Sequence, residues 1–146
     1  MLRPHPARDV SRWVARVPVG YSVSRLHDHW AVVGPTGLFV VGSCGDDPVA
    51  AAEATRTLAQ MLRTRLAEAI PWVPFVDALL VANDEVPVTP VPCTVVELAS
   101  LELALRSGPV SIDEAGLAQI ARLLPGVLDE LGQLEIALTS RPLDPA

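Results

Sequence analysis

The stretch from His27 to Cys44 constrains the fold more than any other part of this chain of 146 residues. Two apolar runs rich in β-branched residues, 31–33 and 38–41, flank the four residues 34–37. Within those four, proline is followed two places later by glycine, which is typical of a tight turn between antiparallel strands. The stretch therefore predicts a β-hairpin.

A four-residue turn also fixes which residues of the hairpin lie opposite one another. Side chains alternate across a strand, so paired residues share a face of the sheet, and every second residue along each strand joins them. This register predicts a small group of His, Gly and Cys residues on one face of the sheet, at the open end of the hairpin. The predicted pairs are Val33 with Leu38, Ala31 with Val40, His29 with Gly42 and His27 with Cys44.

The residues around the hairpin predict a mixed α/β (α+β) fold. Residues 21–26 alternate as the first strand of a three-stranded antiparallel meander, preceded by a short amphipathic helix from Asp9 to Val17. After the hairpin, Asp47 as N-cap and Pro48 in the first turn begin a crossover helix that runs to about Ala69.

The second half of the chain adds further strands and C-terminal helices. Residues 75–82 form an apolar run of strand length, 83–85 read as a loop, and 93–97 form a short strand. Ser100 is the predicted cap of one helix, and Ser111 with Glu114 fits a capping box for the next, which is predicted to break at Pro125 and Gly126 before a last helix over 127–138. We expect one domain over 9–139, with flexible tails at 1–8 and 140–146.

Composition excludes several classes of function. The chain has 11 arginines, no lysine and a net charge of −6. The absence of lysine rules out phosphate-loop nucleotide binding and Schiff-base chemistry, and the acidic balance argues against a nucleic-acid surface. No apolar stretch approaches a membrane span and the first residues lack a secretory core, so we expect a cytoplasmic protein without membrane contact.

The hairpin and the order of elements resemble the nuclease-related domain family, which is common in bacteria and has the restriction-endonuclease-like fold. In that family a strand reads roughly Ile-Asp-His, three apolar residues and Gly-Pro, followed by Gly and an apolar strand that ends in Glu or Asp, one residue, and Lys. The matching stretch here is 29–44, and the likeness continues through the alanine-rich helix and the strands around 79–81 and 95–96, covering about 9–124.

The residues that the family uses for catalysis are replaced in this chain. The resemblance implies an aspartate, a second carboxylate and a lysine on one sheet face, where carboxylates hold a divalent metal against a phosphodiester. The corresponding positions here are His29, Gly42 and Cys44, while Asp28 stands one place early and would point to the opposite face of an extended strand. The resemblance therefore implies a nuclease-like domain that has lost catalysis.

Two rebuilt metal sites remain open as alternatives. His27, His29 and Cys44 would share a face under the predicted register, and two imidazoles with one thiolate are a known ligand set for catalytic zinc. Asp46 and Asp47 would then hydrogen-bond to these zinc ligands or act as additional ligands. In the second alternative, Asp28, Asp46 and Asp47 form a residual magnesium site of a nuclease. Asp77, which interrupts the apolar run at 75–82, is either a site residue or an acceptor of backbone hydrogen bonds.

The functional prediction is a non-catalytic nuclease-like module that requires no cofactor and acts by binding a protein partner or a second copy of itself. A divalent-metal-dependent nuclease, or a nucleic-acid-binding protein with a rearranged site, is the alternative. The arginines that would serve such a protein are scattered along the chain, which favours a solvated surface over a phosphate-binding face. They are Arg12, Arg16, Arg25, Arg56 and Arg63.

Overall fold

A five-stranded sheet forms the centre of the fold. The computed structural model describes residues 19–82 and 90–140, and residues 133–140 by their backbone alone. The strands lie side by side in chain order, antiparallel from the first to the third and parallel from the third to the fifth. They are β1 (Ser22–Leu26), β2 (His29–Gly34), β3 (Gly37–Ser43), β4 (Val76–Ala82) and β5 (Thr94–Glu97).

The hairpin of β2 and β3 has the predicted register. Val33 lies opposite Leu38 and Ala31 lies opposite Val40. Together with β1 these strands make the predicted three-stranded antiparallel meander, and the mixed α/β class is confirmed. Every residue of β3 except Ser43 is buried, because the strand has a neighbour on each side and helices on both faces of the sheet.

Helices cover the two faces of the sheet unequally. On one face, two long helices bury most of the core against Ala31, Val33, Leu38 and Val40; on the other, a short helix packs Leu101 and Leu105 against Val32, Phe39 and Val41. None of the described helices carries an apolar stretch long enough to cross a membrane. The helices are α1 (Pro48–Ala69), α2 (Leu101–Arg106), which follows a 3₁₀ turn at Leu98–Ser100, and α3 (Glu114–Ser140).

Helix α1 begins and ends as predicted. The Asp47 carboxylate accepts a hydrogen bond of 3.1 Å from the Ala50 amide, and Pro48 occupies the first turn. The helix ends at Ala69, after which Ile70 is extended. A helix of this length joins β3 to the parallel strand β4, which is the connection that parallel strands need.

The predicted break at Pro125 and Gly126 is wrong, because α3 continues through both residues. An interior proline removes one backbone hydrogen bond and costs about 3 kcal/mol. Leu124, Leu128 and Leu131 are all buried in the core, so the apolar face on either side of the proline stays packed and keeps the helix continuous.

The predicted caps of α2 and α3 also need correction. The Asp113 carboxylate, and not Ser111, caps α3 by accepting a hydrogen bond of 2.7 Å from the Gly116 amide. Ser111 instead lies in the segment before the helix, where its amide donates to the Pro35 carbonyl. Ser100 precedes α2, but its side chain makes no capping hydrogen bond.

The predicted helix from Asp9 to Val17, the loop at 83–85 and the two predicted tails at 1–8 and 141–146 lie outside the described residues. Residue 140, which the sequence placed in the C-terminal tail, is the last residue of α3.

The hairpin turn contacts several later elements. The Pro35 carbonyl accepts hydrogen bonds from the Ser111 and Ile112 amides, at 2.8 and 3.1 Å, and the Thr36 hydroxyl donates to the Leu105 carbonyl. The Tyr21 hydroxyl lies 2.8 Å from Thr36 Oγ1. The turn therefore connects β1, α2 and the segment that leads into α3.

Gly34 leaves the space in which the Tyr21 ring lies. A Cβ at this position would come within 2.2 Å of two ring carbons, so no side chain fits unless the ring moves. The close approach of ring and glycine backbone brings the tyrosine hydroxyl within hydrogen-bonding reach of Thr36.

We expect Gly34→Ala to lower the free energy of unfolding by about 1–3 kcal/mol, as overpacking does. The displaced Tyr21 ring would also lose its contact with Thr36. Urea denaturation followed by circular dichroism measures the effect. Gly126→Ala is the matched control: a Cβ there meets no atom within 4 Å, and alanine in place of a helical glycine should stabilise the protein by about 0.5–1 kcal/mol. Equal effects of the two changes would contradict the packing argument.

Candidate functional site

His29 is the centre of a buried polar cluster, at the position where the resemblance implies a catalytic aspartate. It begins β2 and is only 7% exposed. Its Nδ1 lies 2.8 Å from the Asp28 carboxylate, and its Nε2 lies 3.1 Å from the Thr55 hydroxyl on α1. Both ring nitrogens of this buried histidine therefore have partners within the protein.

The protons of this cluster follow from its donors and acceptors. The Asp28 carboxylate accepts, so Nδ1 carries a proton. The Thr55 hydroxyl donates to the Ala51 carbonyl at 2.7 Å, and its oxygen lies 3.1 Å from Nε2. Nε2 is therefore engaged within the protein and is not directed at solvent.

Gly42 closes this cluster on the β3 side. A Cβ built on Gly42 would lie 2.6 Å from Thr55 Oγ1 and 2.9 Å from His29 Cδ2. The prediction that His29 and Gly42 share a face is confirmed by this contact. Gly42, where the resemblance implies a second carboxylate, therefore has no room for any side chain while His29 and Thr55 keep their places.

His27 does not lie opposite Cys44, and this part of the predicted register is wrong. His27 stands in the tight turn between β1 and β2, with a φ of 57° that ends the extended strand. Its Nε2 donates a hydrogen bond of 2.9 Å to the Gly132 carbonyl on α3. The turn thus directs the imidazole towards the third helix.

The same turn corrects the prediction for Asp28. An extended strand would have pointed this side chain to the face opposite His29, but Asp28 lies within the turn and contacts the His29 ring. Its side chain is 79% exposed, so the carboxylate joins the cluster from the solvent side. Asp28 orients the imidazole without being buried beside it.

The two cysteines lie in an apolar environment. Cys44 is buried with Ala52 and Leu80, and this burial raises the pKa of its thiol. Cys93 packs against the same cluster; burial and the neighbouring Cys44 raise the pKa of its thiol, while the Arg56 guanidinium lowers it. Neither environment favours a thiolate at neutral pH, which a zinc ligand or nucleophile requires.

The predicted metal ligands do not assemble. Within 19–82 and 90–140, no three His, Cys, Asp or Glu side chains are placed to hold a metal ion. His27 is bonded to α3, and both nitrogens of His29 are engaged. Asp47 caps α1 and Asp46 is exposed before it. The residues at this position therefore fit neither the zinc set nor the magnesium set that the sequence left open.

Asp77 lies away from this cluster. It is the second residue of β4 and is classed as exposed. The neighbouring groups still remove part of the water around its carboxyl group, which raises the pKa of that group. It lines a groove of about 440 Å³ together with Arg56 and Arg63 of α1. No pattern of neighbouring residues connects Asp77 with these arginines, which lie 21 and 14 positions earlier in the chain.

Thr55 is the residue of the cluster that the sequence analysis missed. It lies in the long helix, 26 residues after His29, and is fully buried. The one signal in the sequence is a polar residue on the apolar face of an alanine-rich helix, three residues before Leu58. Such a threonine more often bonds the carbonyl four residues back, as Thr55 also does here.

No protein-family model matches this chain, and searches of curated proteins and of solved structures return no significant match.

We expect Gly42→Ala to lower the free energy of unfolding by about 1–3 kcal/mol, because the new methyl group displaces Thr55 and His29. Thr55→Ala removes the nearest obstructing atom, so the double variant should lose less than the sum of the single losses. A double-mutant cycle measured by urea denaturation tests this. Strictly additive effects would show that Gly42 does not meet Thr55.

The raised thiol pKa values predict slow alkylation. The rate constant for Cys93 with iodoacetamide should keep rising as pH passes the ordinary thiol value of 9.0, since the thiolate forms only above it. Cys44, which is 8% exposed, should react only on unfolding. Mass spectrometry of peptides after timed alkylation measures both rates. Preferential modification of Cys44 would contradict the described burial.

Proposed function

We propose that this chain is a nuclease-like module without catalysis, and that it acts by binding another protein. The observation that carries the proposal is the filled space at Gly42. His29 and Thr55 occupy the volume that a side chain there would need, so a second metal-holding carboxylate has no place. The family's chemistry depends on that group, because carboxylates must hold the metal that activates water.

The arrangement of the sheet supports the resemblance on which this proposal depends. The antiparallel meander, the crossover helix and the parallel strand follow one another in the order expected from the family. The aspartate position within that order falls on His29, whose ring is used for packing contacts with Thr55. We therefore regard the domain as a member of the restriction-endonuclease-like class whose site became part of the core.

Charge supports a protein partner over a nucleic acid. The net charge is −6, and nucleic-acid affinity depends on clustered cations that replace counterions on phosphates. Two of the arginines are ion-paired on their own helices, the half-buried Arg65 with Glu68 and the exposed Arg106 with Glu102. These two guanidinium groups already have carboxylate partners, so they are less available to bind a phosphate backbone.

Exposed aromatic side chains also support protein binding. Trp72 is 44% exposed and Phe75 is 70% exposed, both in the segment between α1 and β4. Trp72 borders one groove together with the exposed Val110, and Phe75 borders another. Aromatic residues are enriched at protein interfaces, where a large rigid side chain gives much contact area.

The experiment is a titration with fluorescently labelled single- and double-stranded DNA at low salt, with and without Mn²⁺, following binding and cleavage together. Low salt strengthens any electrostatic contact, so we expect neither binding nor cleavage even there. Cleavage that disappears in Asp28→Asn or His29→Ala would overturn the proposal in favour of a nuclease with a rearranged site. Binding without cleavage would replace it with a nucleic-acid-binding function.

Sedimentation velocity over a range of protein concentrations then separates the two kinds of protein partner. A concentration-dependent shift to a dimer identifies a second copy of this chain as the partner. A monomer throughout, together with the absence of DNA binding, leaves a different protein as the partner.

A further inference from the structure

The groove beside Asp77 combines features that the proposed function does not yet use. It lies between α1 and the beginning of β4, and the segment before β5 forms its other wall. Its volume is about 440 Å³. Arg56, Gln60 and Arg63 line it from the helix, and Phe75 and Asp77 line it from the strand side.

At this groove one edge of β4, over residues 76–78, has no paired strand among the residues that the structure describes, and we call it the open edge. β4 pairs with β3 from Val76 onwards, but its pairing with β5 begins only at Leu79 with Thr94. Residues 76–78 therefore have a strand neighbour on one side and, in the part of the chain that the structure describes, none on the other. An open edge of this kind can accept hydrogen bonds from an extended segment of another chain.

Two arginines of α1 line the groove beside this open edge. Arg56 and Arg63 are both exposed, and they lie two turns apart on one face of α1, a separation of about 10.5 Å along the helix axis. Neither has an ion-pair partner among the described residues, in contrast to Arg65 two residues further along the helix, which is paired with Glu68. The groove thus presents two cations on a chain that is acidic as a whole.

Among the residues that the structure describes, the other charged group of the groove is the Asp77 carboxylate, so the described charged side chains that line it sum to one positive charge. Phe75, which is 70% exposed, adds an apolar surface at the same place. A nucleic-acid strand, with a phosphate at every nucleotide, would meet Asp77 as well as the arginines. A peptide can place carboxylates at the arginines only, and direct backbone amides towards Asp77.

We propose that this groove binds an extended acidic segment of a partner protein, with its backbone along the open edge of β4, its carboxylates on Arg56 and Arg63, and an apolar side chain on Phe75. This inference rests on the proposed function and identifies the surface and the kind of partner. Backbone hydrogen bonds supply affinity, and the two arginines select for acidic side chains.

The probe is a fluorescein-labelled decapeptide of alternating Glu and Leu, measured by fluorescence anisotropy against the same peptide with Gln in place of Glu. We expect the acidic peptide to bind more tightly than the neutral one. Arg56→Glu with Arg63→Glu should raise its Kd by at least about tenfold, since a hydrogen bond to a charged group contributes roughly that much or more.

The matched control is Arg65→Glu with Arg122→Glu, which changes the net charge equally but lies outside the groove. We expect this variant to bind the acidic peptide with little change in Kd. An equal loss in both double variants would mean that only the overall charge matters and would overturn the inference, as would equal binding of the acidic and neutral peptides. Thermal unfolding of each variant checks that it is folded.

Cys93 provides a second readout, because it lines the same groove. Saturating acidic peptide should slow iodoacetamide alkylation of Cys93 in the wild type and leave it unchanged in the Arg56→Glu, Arg63→Glu variant. Peptide binding without protection of Cys93 would place the peptide elsewhere and overturn the inference.

A labelled 20-nucleotide single strand in the same assay separates this inference from the proposed function. Binding of the strand that depends on Arg56 and Arg63 would overturn both. Failure of the peptide alone would overturn only the groove, and the proposed function would then depend on another surface.

Discussion

The tight turn between β2 and β3 joins the sheet to three distant segments of the chain. Gly34 has no side chain, so the Tyr21 ring lies against the backbone of the hairpin and its hydroxyl reaches Thr36. The Pro35 carbonyl and the Thr36 hydroxyl then bond segments that are more than 60 residues later in the chain. A local turn thereby fixes where α2 and the start of α3 meet the sheet.

At the other end of the same hairpin, close packing fills the space in which a metal site would need open coordination positions. His29 and Gly42 face each other across β2 and β3, and Thr55 of α1 lies over both. A polar site that holds a metal needs open coordination positions and more than one negatively charged ligand. Here both ring nitrogens of His29 are bonded within the protein, and the facing residue, Gly42, has no side chain.

Local chemistry made much of this fold predictable, and distant contacts made part of it unpredictable. The start of α1 is determined by Asp47 and Pro48, and the pairing of β2 with β3 is determined by the turn from Gly34 to Gly37. Both features depend on residues that are close together in the sequence, so both are predicted correctly. The sequence predicts a break at Pro125, but the helix continues because leucines on both sides of the proline pack into a core that forms only on folding. The sequence also predicts an extended His27, whereas its φ is positive and its ring contacts the Gly132 carbonyl, 105 residues away. The bond from Thr55 to His29 and the groove beside Asp77 likewise depend on elements brought together only by folding.

His29, Gly42 and Thr55 form a packed contact at the position where the resemblance to the nuclease-related domain family implies a metal site. The most direct measurement is the loss of amide signal intensity in ¹⁵N–¹H spectra as Mn²⁺ is added, because a bound paramagnetic ion broadens nearby signals. We expect the signals of His29, Gly42 and Cys44 to weaken no more than those next to exposed carboxylates such as Asp46 and Asp113. Selective broadening at His29 and Gly42 at low Mn²⁺ concentration would contradict it.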